Sequence, residues 1–503
     1  MSSAPVAAPR LLELRSARGR VALAATVLAS STAMLDATIV NVALPHIGDD
    51  LDVGVSGLQW IVSGYLLTLA SLILLGGALG DRYGRRRVFT IGAVWFAAAS
   101  LACAIAPTAP VLVGARMLQG IGAALLTPTS LALAQASFVR SDRAAAVGAW
   151  SGLGGLAGAI GPLLGGFLVD GPGWRWAFLL NLPMLGLAIV AVRAVPESRG
   201  RHRADERFDF LGAGLAAWAL AGVTWALTEA PRRGWSDASV IAGVVVAVVA
   251  AIGFLARERT ARTPLVPGSL FESRTFTVLN IATFALYATI GAQFFLLVYQ
   301  LQVSAGWSAI AAGSALVPAT LLMLFGSARS GELAARIGPR PQLVVGPLLV
   351  AAGQLVLARI GRDAEWVGDV LPGALLFGFG LVAFVAPLTA SVMGSVDEAF
   401  VSTASGVNNA IARTGGLFAV ALIPSVSGLT SAVGPAATTD AFRTGMWIAA
   451  GLAVAASIVS AVGLPRTART RASARRYTCP VDGAPLQPDP AVCPPRVTAG
   501  RRN

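Results

Sequence analysis

The sequence predicts an all-α membrane protein with 14 transmembrane helices, and three observations carry that prediction. Hydrophobic residues make up 55% of the 503-residue chain and there are 56 glycines besides, while charged residues make up only 13%. The apolar residues gather in runs long enough to cross a bilayer. The arginines lie almost wholly between those runs, and mostly on one set of alternate loops. A water-soluble chain of this length needs a charged surface that so few ionic residues cannot supply without exposing broad apolar patches. A soluble enzyme, a secreted disulfide scaffold and a disordered chain are set aside on that ground.

A hydrocarbon core of about 30 Å takes about 20 apolar residues at a helical rise of 1.5 Å. Runs of that size fall at 21–44, 58–80, 88–106, 111–134, 144–169, 176–194, 210–229, 238–256, 275–301, 308–328, 342–360, 370–393, 403–426 and 443–464, numbered here as spans 1 to 14. Segments such as Pro107-Thr108-Ala109-Pro110 and Gly171-Pro172-Gly173 cannot continue a helix and set boundaries. The first run follows four arginines, but it is too long and lacks the exit of a signal peptide, so it is read as span 1. Spans 7 and 8 separate a 14-span chain from a 12-span one. Each is long enough to cross, and the pair preserves the parity of the rest.

Of the arginines outside the spans, 30 fall on one side and six on the other. Basic loops stay in the cytoplasm, so both termini are expected there, with the chain in a bacterial inner membrane. No lysine occurs and the net charge is +13. That excess is scattered over short loops rather than gathered on one folded face, which argues against a nucleic-acid partner. No loop is long enough for an ATP-hydrolysing domain, and a lysine-free chain has no phosphate-binding Gly-x-x-x-x-Gly-Lys-Ser/Thr loop. Any transport would draw on an ion gradient, with no cofactor. Cys103 lies in an apolar run and Cys479 and Cys493 in the tail, so no metal site is expected. The bilayer shows no nucleophilic triad or carboxylate pair, which disfavours an enzyme.

The segment Gly77-Ala78-Leu79-Gly80-Asp81-Arg82-Tyr83-Gly84-Arg85-Arg86 is echoed 254 residues later by Gly331-Glu332-Leu333-Ala334-Ala335-Arg336-Ile337-Gly338-Pro339-Arg340. The offset fits two six-span halves separated by an inserted pair. The expected divisions are a cytoplasmic segment at 1–20, an N-terminal half at 21–194, linkers and the inserted pair at 195–274, a C-terminal half at 275–464, and a disordered cytoplasmic tail at 465–503.

Five segments, in order, carry a resemblance. They are Leu35-Asp36-Ala37-Thr38-Ile39-Val40-Asn41-Val42-Ala43-Leu44-Pro45 in span 1, the Gly77–Arg86 loop, Arg116-Met117-Leu118-Gln119-Gly120-Ile121-Gly122-Ala123-Ala124 in span 4, Gly154 to Gly166 in span 5, and Trp174-Arg175-Trp176-Ala177-Phe178-Leu179-Leu180-Asn181-Leu182-Pro183. Over about residues 15–465 the chain resembles the major facilitator superfamily, in its fourteen-span drug:proton antiporter branch of the EmrB/QacA type. The resemblance implies a proton-coupled exporter that works by alternating access.

An ionised carboxylate near mid-bilayer costs on the order of 2.5–3.5 kcal/mol, so Asp36 must face protein or a water-filled cavity. Counted back from Pro45 it lies about 14 Å below the outer surface, and Arg116 lies about 9 Å below it. Similar depth and opposite charge make them a candidate proton-coupling pair if spans 1 and 4 face each other, as the resemblance implies. A fixed structural ion pair is the alternative. Arg116 does not release its proton, so its part is to tune the acid, or to bind carbonyls and hold span 4 in register. Gln119 follows one turn on, and the resemblance implies a role in proton transfer or in the polarity of the substrate site.

In span 5, Pro162 is expected to bend the helix near Gly158, while Gly154, Gly158, Gly161 and Gly165, with Gly166, offer a small-residue face. The resemblance implies that this is the antiporter motif, shaping the cavity between the halves. In the Gly77–Arg86 loop, Gly84 permits a tight turn, and Asp81 can accept from Arg82, Arg85 or exposed helix amides. The resemblance implies a conformational latch of Gly77, Asp81, Arg82, Gly84 and Arg85. Ala335 stands where a second Asp81 would, so the latch is expected to be lopsided. Asn41, Gln59, Gln293, Asn408, Asn409 and Arg413 complete the substrate-cavity candidates with Gln119, although such amides also bond between helices and Arg413 is expected to be paired or bound to carbonyls. Glu229 is expected at the membrane interface, and His46 and His202 in loops.

The expected function is proton-driven export of a hydrophobic, neutral or cationic drug or metabolite by a monomer. A dedicated exporter of one endogenous antibiotic and a non-transporting membrane sensor stay open.

Overall fold

A computed structural model describes residues 11–199, 209–261, 264–397 and 400–465. Among the described residues, 14 helices are long and apolar enough to cross a membrane: Ala17–Leu51, Val55–Tyr83, Arg85–Ala104, Ala109–Ala136, Ala145–Asp170, Arg175–Ala194, Phe210–Arg233, Ala238–Thr260, Arg274–Ser304, Ala309–Ile337, Pro339–Leu357, Trp366–Gly394, Thr403–Val426 and Gly434–Gly463. Each coincides with one apolar run, in order. The tail with Cys479 and Cys493, and His202, lie outside the described residues.

Local chemistry sets the helix ends. The Ser16 side chain caps span 1 by accepting from the Gly19 amide, and Asp52 ends it in the left-handed conformation at φ 50°. Span 1 runs through Pro45 to Leu51, so Pro45 does not mark its exit, and His46 is helical rather than in a loop. The reason is length: at 35 residues the helix rises about 52 Å and projects beyond a hydrocarbon core. Asp36 therefore lies near its middle. Asp209 caps span 7 through the Gly212 amide and also accepts from Arg257 of span 8 at 2.9 Å, which ties the pair together. Asp237 caps span 8, and the Ser239 hydroxyl and amide hold its carboxyl below the usual carboxylate range.

Spans 2, 3 and 4 pack together, as do spans 1 and 5 and spans 1 and 6. In the second part of the chain, span 9 packs on spans 13 and 14, span 11 on spans 12 and 14, and span 10 on span 12. The sequence repeat has a geometric counterpart. Gly84 joins spans 2 and 3 at φ 110°, and Gly338 joins spans 10 and 11 at φ 84°, each in a region where a Cβ is strained. A Cβ on Gly92 of span 3 would meet the Leu126 amide of span 4 at 3.0 Å. One on Gly346 of span 11 would meet the Gly380 carbonyl of span 12 at 2.9 Å. Both pairs of positions keep the 254-residue offset.

The core divides unevenly along the membrane normal. At the arginine-poor end a single apolar cluster joins Val40, Leu44 and Leu58 to Phe295, Leu297, Val420 and Ile423, across spans 1, 2, 9 and 13. At the arginine-rich end there are two clusters, one around Phe89, Phe96 and Phe138 and another around Phe276, Phe377 and Phe384, with Leu74 touching both. Polar contacts follow the same division. At the arginine-poor end Gln59 donates to the Val420 and Ala421 carbonyls, Gln302 donates to the Val42 carbonyl, and Asp170 accepts from the Ala309 and Ile310 amides that open span 10.

Span 7 packs against both span 2 and span 13, while most of span 8 faces outward. Glu229 is buried rather than interfacial. It accepts from the Trp60 indole of span 2 at 2.9 Å and from Arg233 at 2.9 Å, because the end of span 7 rests on span 2 instead of lipid.

Candidate functional site

Three spans bring polar residues to the surroundings of Asp36 in span 1. Its side chain is fully buried and accepts three hydrogen bonds. Arg116 Nη1 of span 4 lies 2.5 Å from Oδ2, while Gln119 Nε2 of span 4 and Asn181 Nδ2 of span 6 lie 2.8 and 2.9 Å from Oδ1. Ser100 of span 3 accepts from Gln119 and Asn181 through its hydroxyl. Spans 1 and 4 thus do face each other at this depth, and Gln119 is a direct partner of the acid.

Arg116 is held on every side. Besides Asp36 it reaches Gln119 Oε1 at 2.5 Å and, through Nε, the Ile61 carbonyl at 3.2 Å. Its guanidinium lies 4.3 Å from the centre of the Tyr65 ring. Bonds to a carboxylate, an amide and a carbonyl satisfy a charge that would otherwise be costly in a low-dielectric interior. Removing one partner of such a pair leaves an uncompensated charge, typically at a cost of about 3–5 kcal/mol. Sequence reasoning missed Asn181, Ser100 and Tyr65 as members. Asn181 was within reach, since it is an amide placed inside an apolar run.

The Gly77–Arg86 loop closes on its own part of the chain. Asp81 accepts from Arg85 at 2.7 Å, and Arg85 also reaches the Ala132 carbonyl. The free amide at the start of span 3 is taken by Glu197 through Arg86 N, and Arg86 donates to the Val195 carbonyl. The strand of chain after span 6 is thus a component of this loop that its spacing did not reveal. Gly77 and Arg82 lie at the end of span 2 beside it.

The glycines of span 5 differ along their length. A Cβ on Gly161 or Gly165 would run into Thr38 or Ile39 of span 1, and one on Gly166 would lie 2.3 Å from the Ile310 Cα of span 10. Gly313 of span 10 sits against the Pro162 carbonyl. Nothing lies within 4 Å of a Cβ built on Gly154 or Gly158. The glycine face is tightly seated at its arginine-poor end and open at Gly154 and Gly158.

The amide candidates disperse. Asn41 bonds back to the Ala37 carbonyl, Asn409 bonds to the Ser405 carbonyl, and Asn408 links span 13 to Asn280 and Thr283 of span 9. Gln59 belongs to the closure between spans 2 and 13. Gln293 is buried in span 9 with its Oε1 unpartnered among the described residues. Arg413 instead lines a pocket with Met34, Tyr65, Trp150 and Gly154.

Residues 26–420 match the family model of the Major Facilitator Superfamily. The chain is 34% identical to the Tetracenomycin C resistance and export protein of Streptomyces glaucescens, over 77% of this chain and 72% of that one. It is 34% identical to the Puromycin resistance protein pur8 of Streptomyces alboniger, over 85% and 87%. Its fold is similar to the crystal structure of a POT family transporter in complex with 5-aminolevulinic acid, with a TM-score of 0.66 at 15% identity, over 90% of this chain and 98% of that one. With its fourteen apolar helices and a family match across most of its length, the chain belongs to the major facilitator superfamily of membrane transporters.

Proposed function

We propose that this protein exports hydrophobic drugs or antibiotics across the inner membrane in exchange for protons, as a monomer with both termini in the cytoplasm. The observation that carries the coupling is the Asp36 network, in which a buried acid accepts from three donors on two other spans. An acid in apolar surroundings keeps its proton when donors and cations withdraw, and gives it up when they close in. Movement of span 1 against spans 4 and 6 therefore converts position into proton affinity. Tyr65 stacks on Arg116 and also lines the pocket that contains Arg413, so it stands between the network and the space where a substrate would sit.

The arrangement reads as the cytoplasm-facing one. Arginine-rich loops mark the cytoplasmic side, and the single cluster across the halves closes the other. Loading from the cytoplasm and release on reversal of the two six-span halves follow. The antibiotic named for each of the relatives above favours a second reading, a dedicated exporter of one compound.

The test is Asp36→Asn in sealed vesicles with an imposed pH gradient. The variant keeps the size of the side chain but leaves Arg116 without its counter-charge, so it is expected to lose about 3–5 kcal/mol of stability, stay folded in the membrane, and lose gradient-driven export by at least about a hundredfold, about 2.7 kcal/mol at the transport barrier. Export at the wild-type rate would remove Asp36 from the coupling.

A further inference from the structure

Mid-membrane, span 13 carries a charge that the Asp36 network does not answer. Arg413 is half-buried, ten residues into Thr403–Val426, and reaches the seam between the halves. It lines a pocket with Ser30, Met34, Tyr65, Leu69, Trp150 and Gly154, all from spans 1, 2 and 5. Tyr65 of span 2 and Tyr287 of span 9 lie within electrostatic reach of its guanidinium. Among the described residues no carboxylate and no carbonyl pairs with it. Asp36 is engaged instead by Arg116, Gln119 and Asn181. The expected pairing or carbonyl bonding of Arg413 is therefore replaced by an open donor fork. Guanidinium groups inside a membrane are costly and are kept where they face a cavity or a ligand.

The rest of the pocket suits an apolar body. Trp150 is pinned by its indole N–H, which lies 2.8 Å from Ser30 Oγ and 2.9 Å from Ser130 Oγ, so its ring is presented as a fixed wall. Met34 and Leu69 supply flexible and branched apolar surface, and Gly154 leaves space where a side chain would intrude. A planar fork of donors above an aromatic and aliphatic floor matches a carboxylate, or an ionised phenol or enol, carried on a hydrophobic frame.

We infer that Arg413 sets the substrate class: the pocket takes amphipathic monoanions, with the charge on Arg413 and the apolar part between Tyr65, Leu69 and Trp150. The transport arm of this inference rests on the exporter reading, while the binding arm does not. It reverses the neutral or cationic preference drawn from the sequence. It also has an electrical consequence. Moving one monoanion out for one proton in carries two charges in the same sense, whereas one monocation for one proton carries none.

The binding test uses the purified full-length protein in detergent, with no gradient, and three probes on one frame: 2-naphthoate, 2-naphthamide and 2-naphthylmethylammonium. Equilibrium dialysis should show naphthoate binding about tenfold or more tighter than either companion. In Arg413→Gln the advantage should vanish with the amide affinity unchanged, and Arg413→Lys should restore part of it. Equal affinities in the wild type, tightest binding of the ammonium probe, or equal weakening of all three in Arg413→Gln would each overturn the assignment. Should Arg413→Gln fail to fold, the ranking on the wild-type chain decides alone. In proteoliposomes, an interior-negative potential set with valinomycin should accelerate naphthoate export, and an absent response would count against a monoanion. Asp36→Asn separates the two proposals. If it exports naphthoate at the wild-type rate, proton exchange through Asp36 fails and the anion pocket stands; if the wild-type chain drives only the ammonium probe by the pH gradient and the variant drives neither, the reverse holds.

Discussion

Replacing Asn181 with leucine tests whether the donors around Asp36 are needed for gradient-driven export. Asn181→Leu deletes one of the two donors to Asp36 Oδ1, the one at 2.9 Å, and leaves Gln119 and Arg116 in place. A hydrogen bond to a charged group contributes about 1.5–3 kcal/mol. At about 1.36 kcal/mol per factor of ten, that loss slows gradient-driven export by roughly tenfold to a hundredfold. Global stability should change by only about 1 kcal/mol, since Asn181 Oδ1 is itself buried without a partner among the described residues and leucine removes that orphan as well. The assay is the initial rate of gradient-driven export in proteoliposomes, together with thermal unfolding of the same preparation. An unchanged export rate, in a variant that remains folded, would refute the claim that this network serves the acid.

Gly166→Leu should pry apart the arginine-poor end, because its Cβ would lie 2.3 Å from the Ile310 Cα and backbone cannot yield cheaply. The expected strain is about 1–3 kcal/mol, read as several-fold faster labelling of a cysteine placed at Gln59. Gly154→Ala meets nothing within 4 Å and should stay within about 0.5 kcal/mol of wild type in thermal unfolding. Glu229→Leu takes the acceptor from Trp60 and Arg233 and should destabilise the chain by about 1–3 kcal/mol, visible as a change in tryptophan emission while the pH profile of export keeps its midpoint. A shifted midpoint in that variant would show that the inserted pair reaches the proton site.

Much of the architecture was legible because a bilayer imposes a one-dimensional constraint. Apolar length and loop arginines suffice to locate fourteen crossings, even where Pro45 suggests an early exit that the helix ignores. The pairing of Asp36 with Arg116 was also within reach, since a lone acid and a lone base at similar depth must find partners. Asn181 and Ser100 were harder. Small polar residues in a span bond equally well to their own backbone, as Asn41 does four residues back, and only the rotation of span 6 turns Asn181 toward span 1. Arg413 failed for the opposite reason. The cost of a buried charge predicts that a partner exists, and the chain itself does not contain it among the described residues.

The two seams between the halves are unlike each other. Where spans 2 and 13 meet, span 7 lies across both, clipped to span 2 through Glu229 and Trp60. Where spans 5 and 10 meet, an apolar cleft walled by Leu163, Leu321, Phe325 and Phe379 opens beside them instead. An oily solute approaching sideways through the membrane thus finds a shuttered flank and a bare one.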